Sequence, residues 1–246
     1  MLMYYTYNMN YLSCIKILAN NKDYFPYNLP LFRNETIIKL RKPITFIVGE
    51  NGSGKSTFLE SLASVVGFNS MGGNANHNYG TKESYSIEDV IRLTWNLKTR
   101  KGFFFRAESF FNFSNYIDKL IDEDGSLLDA YGGRKLTHQS HGESFLALFG
   151  SKFKDGLFIL DEPEAALSPE RQLSLVTILS DLVTYNNAQF IIATHSPILI
   201  ATPNSVVYEI ENSKFIEKNY EETKQFNLYK DFLNNSRRYI NYLTKE

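Results

Sequence analysis

A glycine-rich octapeptide, GENGSGKS at residues 49–56, constrains this chain more than any other feature of its sequence. It matches the phosphate-binding loop pattern G-x-x-x-x-G-K-[ST]. The apolar run ITFIV at 44–48 precedes it and predicts a buried parallel strand, and a helix is expected from about Lys55 to Val66. Glycines let successive backbone N–H groups turn toward phosphate, and a helix N-terminus adds partial positive charge. The sequence therefore predicts a nucleotide-binding α/β domain.

Within this loop, Lys55 is expected to contact the β- and γ-phosphates, and the Ser56 hydroxyl is expected to ligate Mg²⁺. A glycine-rich turn that binds nothing is the alternative, and the flanking strand and helix argue against it. Mg²⁺ is accordingly the expected cofactor, bound together with a nucleotide. The expected nucleotide contacts are Asn51, Gly52, Ser53, Gly54, Lys55, Ser56 and Thr57.

A second motif, LFILDEP at 157–163, places two carboxylates where a buried strand ends. Ligands of open α/β sheets bind at the carboxyl ends of the strands. Asp161 is therefore predicted to hold Mg²⁺, directly or through water, and Glu162 to act as general base for an attacking water. A solvated acidic turn is the alternative, and the phosphate-binding loop makes it the weaker interpretation.

A third motif, THSP at 194–197, follows the apolar run FIIA. A single histidine is more often structural than catalytic. Parallel strands end at one edge of a sheet, however, so His195 is expected close to Asp161 and Glu162. There it would hold the γ-phosphate and orient the water, which makes Glu162, His195 and Lys55 the predicted catalytic residues.

Composition and charge exclude several classes of protein. The chain has 246 residues with 43% hydrophobic residues, which is enough for one large domain, and a formal net charge of -1 gives no general attraction to nucleic acid or anionic membranes. One cysteine, Cys14, precludes an internal disulfide. The sequence shows neither a signal peptide nor a run long enough to span a membrane, so a cytoplasmic location and no transmembrane segment are expected.

Hydrophobic periodicity predicts the remaining elements. Edge strands are expected at 11–18 and 35–39, a strand followed by a turn at 102–109, and a mobile loop at 69–86. Ser86 and Asp89 resemble a cap for a helix carrying Val90, Leu93 and Leu97. Other expected elements are a helix around Ile117–Ile121, a helix capped by Ser168 with Pro169 in its first turn, a hairpin at 206–217 and one or two helices at 226–244.

The segment HQSHGESFLALF at 138–149 admits two interpretations. Ser140 could be a nucleophile, but it lacks the G-x-S-x-G elbow of serine hydrolases and no matching acid and histidine are apparent. A serine hydroxyl, a glycine and free N–H groups at a helix start instead form an anion site. The second interpretation is preferred.

In order and spacing, these motifs resemble the ATP-binding-cassette (ABC) ATPases, with GENGSGKS as Walker A, QSHGE as the signature, LFILDE as Walker B and ATHSP as the switch. The resemblance runs from about residue 43 to 203 and is closest to compact soluble members labelled AAA-family ATPases, which are related to the SMC, Rad50 and RecF-like proteins. It implies a P-loop fold with a mainly parallel core sheet, an antiparallel N-terminal β part and a small helical insert. We expect one domain over 1–246, with the insert at about 67–150 and a hairpin and helices at 204–246.

The resemblance further implies that two subunits pack head to tail around two ATP molecules, which predicts an ATP-dependent homodimer. The signature residues Ser140, His141, Gly142 and Glu143 would then complete the site of the other subunit; His141 and Glu143 replace the usual glycine and glutamine. The segment 165–168 resembles the D-loop, which contacts the other subunit, with Ser168 where aspartate is usual.

Two features depart from the family pattern. The sequence has no glutamine between Thr57 and His138, so Arg106 or Glu108 is the expected substitute for the glutamine loop, unless the two simply form an ion pair; Glu143 is another candidate. The adenine contact is also not evident. The aromatic candidates, which are more typical of packing, are Tyr24, Phe25, Tyr27 and Phe32.

The sequence thus predicts a soluble ABC-type ATPase that acts on an unknown protein partner. One alternative is the ATP-binding subunit of a membrane transporter, although the missing glutamine argues against it. Another is a DNA-repair or defence ATPase; it would need a partner chain to supply a coiled coil, and nucleic acid is kept as a partner without support from the sequence. A binding switch without hydrolysis and a plain P-loop kinase are weaker alternatives.

Overall fold

The computed structural model describes residues 10–69, 87, 89–125, 128, 133–138, 149 and 154–244. The strands in these ranges are β1 (Leu12–Ile17), β2 (Thr36–Lys39), β3 (Ile44–Gly49), β4 (Ile91–Trp95), β5 (Gly102–Arg106), β6 (Gly156–Asp161), β7 (Ala188–Ala193), β8 (Ser205–Glu211) and β9 (Lys214–Lys218). The helices are α1 (Lys55–Val66), α2 (Phe110–Glu123), α3 (Pro169–Asn186), α4 (Lys224–Asn234) and α5 (Ser236–Thr244).

The main sheet has six strands in the order β5-β6-β7-β3-β8-β9. All neighbouring pairs are parallel except β8 and β9, which form an antiparallel hairpin. Strands β6 and β7 are buried along their whole length, as their uninterrupted apolar sequences predict for strands covered on both faces. The predicted α/β class with a mainly parallel core sheet is confirmed.

Helices cover both faces of this sheet. Alternate residues of each strand point to opposite faces, so Phe46 packs with α2 and α3 in one core cluster, whereas Ile47 packs with α1 and β1 in the other. Gly102 allows β5 to approach β6 closely, because a Cβ built there would lie 1.9 Å from the carbonyl oxygen of Leu157. The two apolar layers hold the central strands in a fixed register.

A second sheet, antiparallel and three-stranded, has the order β2-β1-β4. The expectation that 11–18 is an edge strand is wrong, because β1 lies between β2 and β4. The helix predicted from Asp89 onward is also wrong, since Ile91–Trp95 is strand β4, and Leu93 pairs with Ile15 of β1. Pairing with β1 therefore overrides the local capping pattern. Its serine, Ser86, lies outside the described residues, as do all the residues of the predicted loop after residue 69.

Most other predicted elements are confirmed. Helix α1 has the expected bounds, and the Ser168 side chain caps α3 by accepting a bond from the backbone N–H of Arg171 at 3.4 Å. The described part of the predicted insert contains β4, β5 and α2, and the division of the chain at 67–150 and 204–246 remains a prediction. Among the described residues, no helix combines the length and the apolar character that crossing a bilayer requires.

Helices α4 and α5, which we call the tail hairpin, are attached loosely to this body. Neither helix contains a buried residue. Among the described residues of the two helices, only Phe226, at the start of α4, packs against a core cluster, the one that contains α2 and α3, and it lies beside Tyr220. The exposed apolar side chains of the tail hairpin are Leu228, Tyr229, Phe232, Leu233, Ile240, Tyr242 and Leu243.

Candidate active site

Three central strands end at the same edge of the main sheet and bring the predicted site residues together. Ala193 of β7 is in register with Ile47 of β3 and with Asp161 of β6. The residues that follow each strand therefore emerge side by side: the glycine-rich loop after β3, Glu162 after β6 and His195 after β7. This is the carboxyl edge, where ligands of open α/β sheets bind.

The glycine-rich loop has the backbone conformation that its sequence predicts. Gly52 and Gly54 have φ angles of 76° and 94°, which are costly for residues with a Cβ. Lys55 is only 5% exposed, and its Nζ donates to the carbonyl oxygens of Gly49 and Glu50 at 2.9 and 3.0 Å. Burial lowers the pKa of Lys55, although the negative charges of nearby carboxylates act in the opposite direction. The loop thus holds a largely desolvated cation at the start of α1.

Ser56 and Asp161 form a pair of oxygen donors beneath the loop. The Ser56 hydroxyl donates to Oδ1 of Asp161 at 3.3 Å. Burial raises the pKa of Asp161 to about 6, although Ser56 and Arg106 oppose this shift. A hydroxyl and a desolvated carboxylate fit Mg²⁺, which prefers oxygen ligands and needs few from the protein when phosphates and water supply the rest. The described residues contain no cluster of three or more metal-binding side chains.

Glu162 and His195 face each other beside this pair. The Oε1 of Glu162 and the Nε2 of His195 are 3.5 Å apart, and the two side chains are 43% and 36% exposed. Glu162 has a left-handed backbone, with φ 51°, and its N–H donates to the Ala193 carbonyl at 2.9 Å. Burial and the charge of Lys55 lower the pKa of His195. A neutral imidazole and a carboxylate are thus placed near the buried ammonium group of Lys55.

Glu164 is a site residue that sequence reasoning missed. Its Oε1 accepts a bond from the backbone N–H of His195 at 2.5 Å, and burial raises its pKa. Its other carboxylate oxygen is buried without a hydrogen bond among the described residues. Glu164 therefore fixes the backbone that carries His195. The only hint in the sequence is its position two residues after Glu162.

The two candidates for the glutamine loop lie together at the end of β5. Arg106 forms ion pairs with Glu60 of α1 and, at 2.9 Å, with Glu108. Its Nε lies 4.0 Å from Oδ2 of Asp161, and its side chain is 20% exposed, whereas that of Glu108 is 81% exposed. The expected ion pair is thus present, and Arg106 is the member that reaches the buried carboxylate. Glu60 was not identified from the sequence.

A cavity of about 340 Å³ adjoins the glycine-rich loop. Its apolar wall is aliphatic, formed by residues 29–31, and not by the aromatic candidates for adenine contact. Tyr27 and Phe32 are buried in the core, and the Tyr27 hydroxyl donates to Asp89 at 2.6 Å. The residues lining the cavity are Leu29, Pro30, Leu31, Glu50, Asn51, Gly52, Ser53, Gly54, Ile210, Glu211, Asn212, Ser213 and Lys224.

The signature residues Ser140, His141, Gly142 and Glu143 lie outside the described residues. The described residue that precedes them most closely is His138, the last residue of a short 3-10 helix. Their predicted contacts with the ATP of another subunit therefore remain predictions. All other predicted site residues, from the glycine-rich loop to His195, are described.

Comparison with known proteins identifies a family and several relatives. A family model described as "AAA domain" matches residues 27–245. The tungstate uptake system ATP-binding protein TupC of Campylobacter jejuni is 25% identical, over 82% of this chain and 70% of that protein. The cobalt import ATP-binding protein CbiO of Salmonella typhimurium is 26% identical, over 81% of this chain and 79% of that protein.

Solved structures share the fold. The structure of cbiO1 from Clostridium perfringens, part of an ABC transporter complex, superposes with a TM-score of 0.54 at 19% identity, over 97% of this chain and all (100%) of that one. An SMC head bound to the C-terminal winged-helix domain of ScpA gives a TM-score of 0.51 at 14% identity, over 86% and 99% of the two chains. At these identities the likeness establishes the fold alone.

Proposed function

The chain belongs to the AAA domain family and is an ABC-type ATPase, and we propose that it binds Mg·ATP, dimerises head to tail around it, and hydrolyses it by attack of water on the γ-phosphate. The observation that carries this proposal is the convergence of Lys55, Ser56, Asp161, Glu162 and His195 at one edge of the sheet. Each of these residues suits a separate task in phosphoryl transfer.

Catalysis of this kind is largely positioning and neutralisation of charge. Lys55 and the N–H groups of the loop bind the β- and γ-phosphates. Ser56 and Asp161 hold Mg²⁺, which when bound neutralises charge on the phosphate oxygens. Glu162 accepts a hydrogen bond from the attacking water. His195, neutral at pH 7 because its pKa is lowered, donates from a ring N–H to the γ-phosphate.

The exposure of Glu162 and His195 supports a site that a second subunit covers and completes. Glu162 and His195 remain 43% and 36% exposed, whereas ATP hydrolysis requires control of water around the γ-phosphate. In the proposed dimer, Ser140 and Gly142 of the other subunit cover this side by contacting the γ-phosphate. ATP then acts as a contact between subunits, and its hydrolysis releases them.

Light scattering on wild type and Glu162→Gln, with and without Mg·ATP, tests this proposal. We expect the variant to become a stable dimer only with ATP, because binding persists while hydrolysis stops. Adding Ser140→Arg should then prevent dimerisation without preventing ATP binding. A Glu162→Gln variant that stays monomeric at saturating ATP would refute the dimer for the isolated chain.

The ATP-binding subunit of a membrane transporter is the second candidate, favoured by the names of the curated relatives. Those proteins are ATP-binding components of uptake systems at 25% and 26% identity. The test is cross-linking in native cells, followed by identification of the partner. A partner with membrane-spanning helices whose transport activity requires Lys55 would support this candidate; a partner without such helices would argue against it.

A further inference from the structure

Lys224, the first residue of α4, lines the same cavity as the glycine-rich loop. The cavity extends from residues 50–54 between an aliphatic wall at 29–31 and the β8–β9 turn at 210–213. Its volume of about 340 Å³ falls in the range of small-molecule sites. Since the loop itself holds the phosphates, the space beside it is available to the rest of the nucleotide.

The ion pairs of the Lys224 side chain are long and exposed, so they add little to the stability of the fold. Its Nζ lies 3.5 Å from Oε1 of Glu211 and 3.9 Å from Oε1 of Glu50, and its side chain is 63% exposed. Exposed pairs of this kind contribute little to stability. Glu211 already has a closer partner, Lys218, at 2.8 Å. The ammonium group of Lys224 can therefore exchange these carboxylates for a ligand at small cost.

The backbone of Lys224, in contrast, is firmly anchored. Its N–H donates to Oε1 of Glu209 at 3.2 Å, and Glu209 is buried and held by Lys218 at 2.6 Å. The buried Thr223 caps α4 by accepting from the N–H of Phe226 at 3.3 Å. The tail hairpin is thus fixed to the body at its first turn, next to the cavity, while the remainder makes few contacts.

We propose that Lys224 contacts the base or ribose of the bound nucleotide and that this contact links occupancy of the cavity to the order of the tail hairpin. The inference rests on the proposed function. Purine ring nitrogens and ribose oxygens accept hydrogen bonds, and an ammonium group can only donate. The base lies against the aliphatic wall of Leu29, Pro30 and Leu31, in place of an aromatic stack. Binding then immobilises the Lys224 side chain and adds a second attachment to the first turn of α4, whose backbone is already anchored.

Nucleotide affinity of Lys224→Met, measured by calorimetry, tests the contact. We expect ADP to bind about 5- to 10-fold more weakly than to wild type, which is the loss of roughly one hydrogen bond to a charged donor. Affinity for pyrophosphate should not change, since it fills the loop but not the cavity. The melting temperature should also stay the same. Lys230→Met, on the outer part of α4, is the matched control.

Hydrogen exchange of α4 and α5, with and without ADP, tests the link. ADP should slow exchange in the first turn of α4 in wild type and Lys230→Met, and not in Lys224→Met. Equal ADP affinity in wild type and Lys224→Met, or an equal loss for pyrophosphate, would overturn the contact. A weaker ADP affinity without any effect of ADP on exchange would overturn the link to the tail hairpin.

If the proposed function itself is wrong, the binding measurements give a different result. Lys55→Ala should lose both ADP and pyrophosphate binding. If wild type itself binds no nucleotide, the proposed function fails and the role of Lys224 fails with it. If wild type binds ADP, Lys55→Ala does not, and Lys224→Met matches wild type, only the inference about Lys224 is wrong.

Discussion

The Nε2 of His195 and the Oε1 of Glu162 lie 3.5 Å apart at the ends of two neighbouring parallel strands. The sequence next to each residue does not by itself determine where its side chain lies. The position of Glu162 depends on the β6–β7 register and on its left-handed backbone, and that of His195 depends on the bond from its N–H to Glu164. The pair is therefore a product of the sheet, and substitutions should separate the roles of its members.

Glu162→Gln should reduce kcat for ATP hydrolysis by about 10²- to 10⁴-fold, because a positioned general base contributes about that factor. The affinity for ATP should remain within a few-fold, since the phosphates are held by the loop. Phosphate release and binding of a fluorescent ATP analogue measure the two quantities. Glu170→Gln, on the exposed first turn of α3, is the control. Loss of affinity equal to the loss of rate would contradict the assignment.

His195→Ala should lower kcat by about 10- to 100-fold at pH 7, since one donor to the γ-phosphate is lost. Burial and Lys55 lower the pKa of His195, so the neutral form persists below the ordinary value of 6.5. Activity of the wild type should consequently not fall around pH 6.5 as His195 protonates. A pH–rate profile of the two proteins checks this. A wild-type decline centred at 6.5 that the variant lacks would contradict it.

Asp161→Asn should make the nucleotide-free protein more stable at pH 7 while abolishing Mg²⁺-dependent hydrolysis. The pKa of Asp161 is about 6 in the folded protein, above its ordinary value of 3.8. The protonated carboxyl therefore stabilises the fold below pH 3.8, and this stabilisation is lost as the pH rises through 6. A shift of this size corresponds to roughly 3 kcal/mol at most. Urea unfolding at pH 4 and pH 7, in the presence of a chelator, should show a gain only at pH 7. A variant that is less stable at pH 7 would contradict the argument.

Arg106→Met should raise the Mg²⁺ concentration needed for half-maximal hydrolysis by about 10-fold at pH 7. The charge of Arg106 lowers the pKa of Asp161, so its removal favours the protonated carboxyl, which binds Mg²⁺ poorly. Glu108→Gln should have little effect, because that carboxylate is 81% exposed. Magnesium titrations of ATPase activity measure both. If Glu108→Gln gives the larger shift, Glu108 is the substitute for the glutamine loop.

Gly102→Ala should destabilise the fold by about 3 kcal/mol or more, because the added Cβ would overlap the Leu157 carbonyl at the β5–β6 contact. Gly67→Ala is the control: its φ of 93° is also unfavourable, but nothing lies within 4 Å of the added Cβ, so we expect only about 1–2 kcal/mol. Urea unfolding of the two variants measures the difference. Equal losses would mean that β5 can move away from β6.

The parts of the site that the sequence predicted are those whose geometry is local or follows from strand order. Helix α1 has the expected bounds because the glycine-rich loop defines its first turn, and Asp161 and His195 follow from buried apolar runs. Strand β4 was missed because its partner, β1, is distant in sequence, so that Leu93 looked helical. Glu60, Glu164 and Lys224 were missed for a related reason: their roles depend on neighbours that only the tertiary structure supplies.

The position of β3 in the sheet affects how the chain can fold during synthesis. Both sheet neighbours of β3, β7 and β8, lie far downstream, and β3 begins pairing only when Phe190 and its neighbours have left the ribosome. Until then, an apolar strand and its glycine-rich loop have no partner in the main sheet. Such late, long-range pairing slows folding and exposes aggregation-prone segments. Truncated chains that end before β7 should therefore need a chaperone to remain unaggregated.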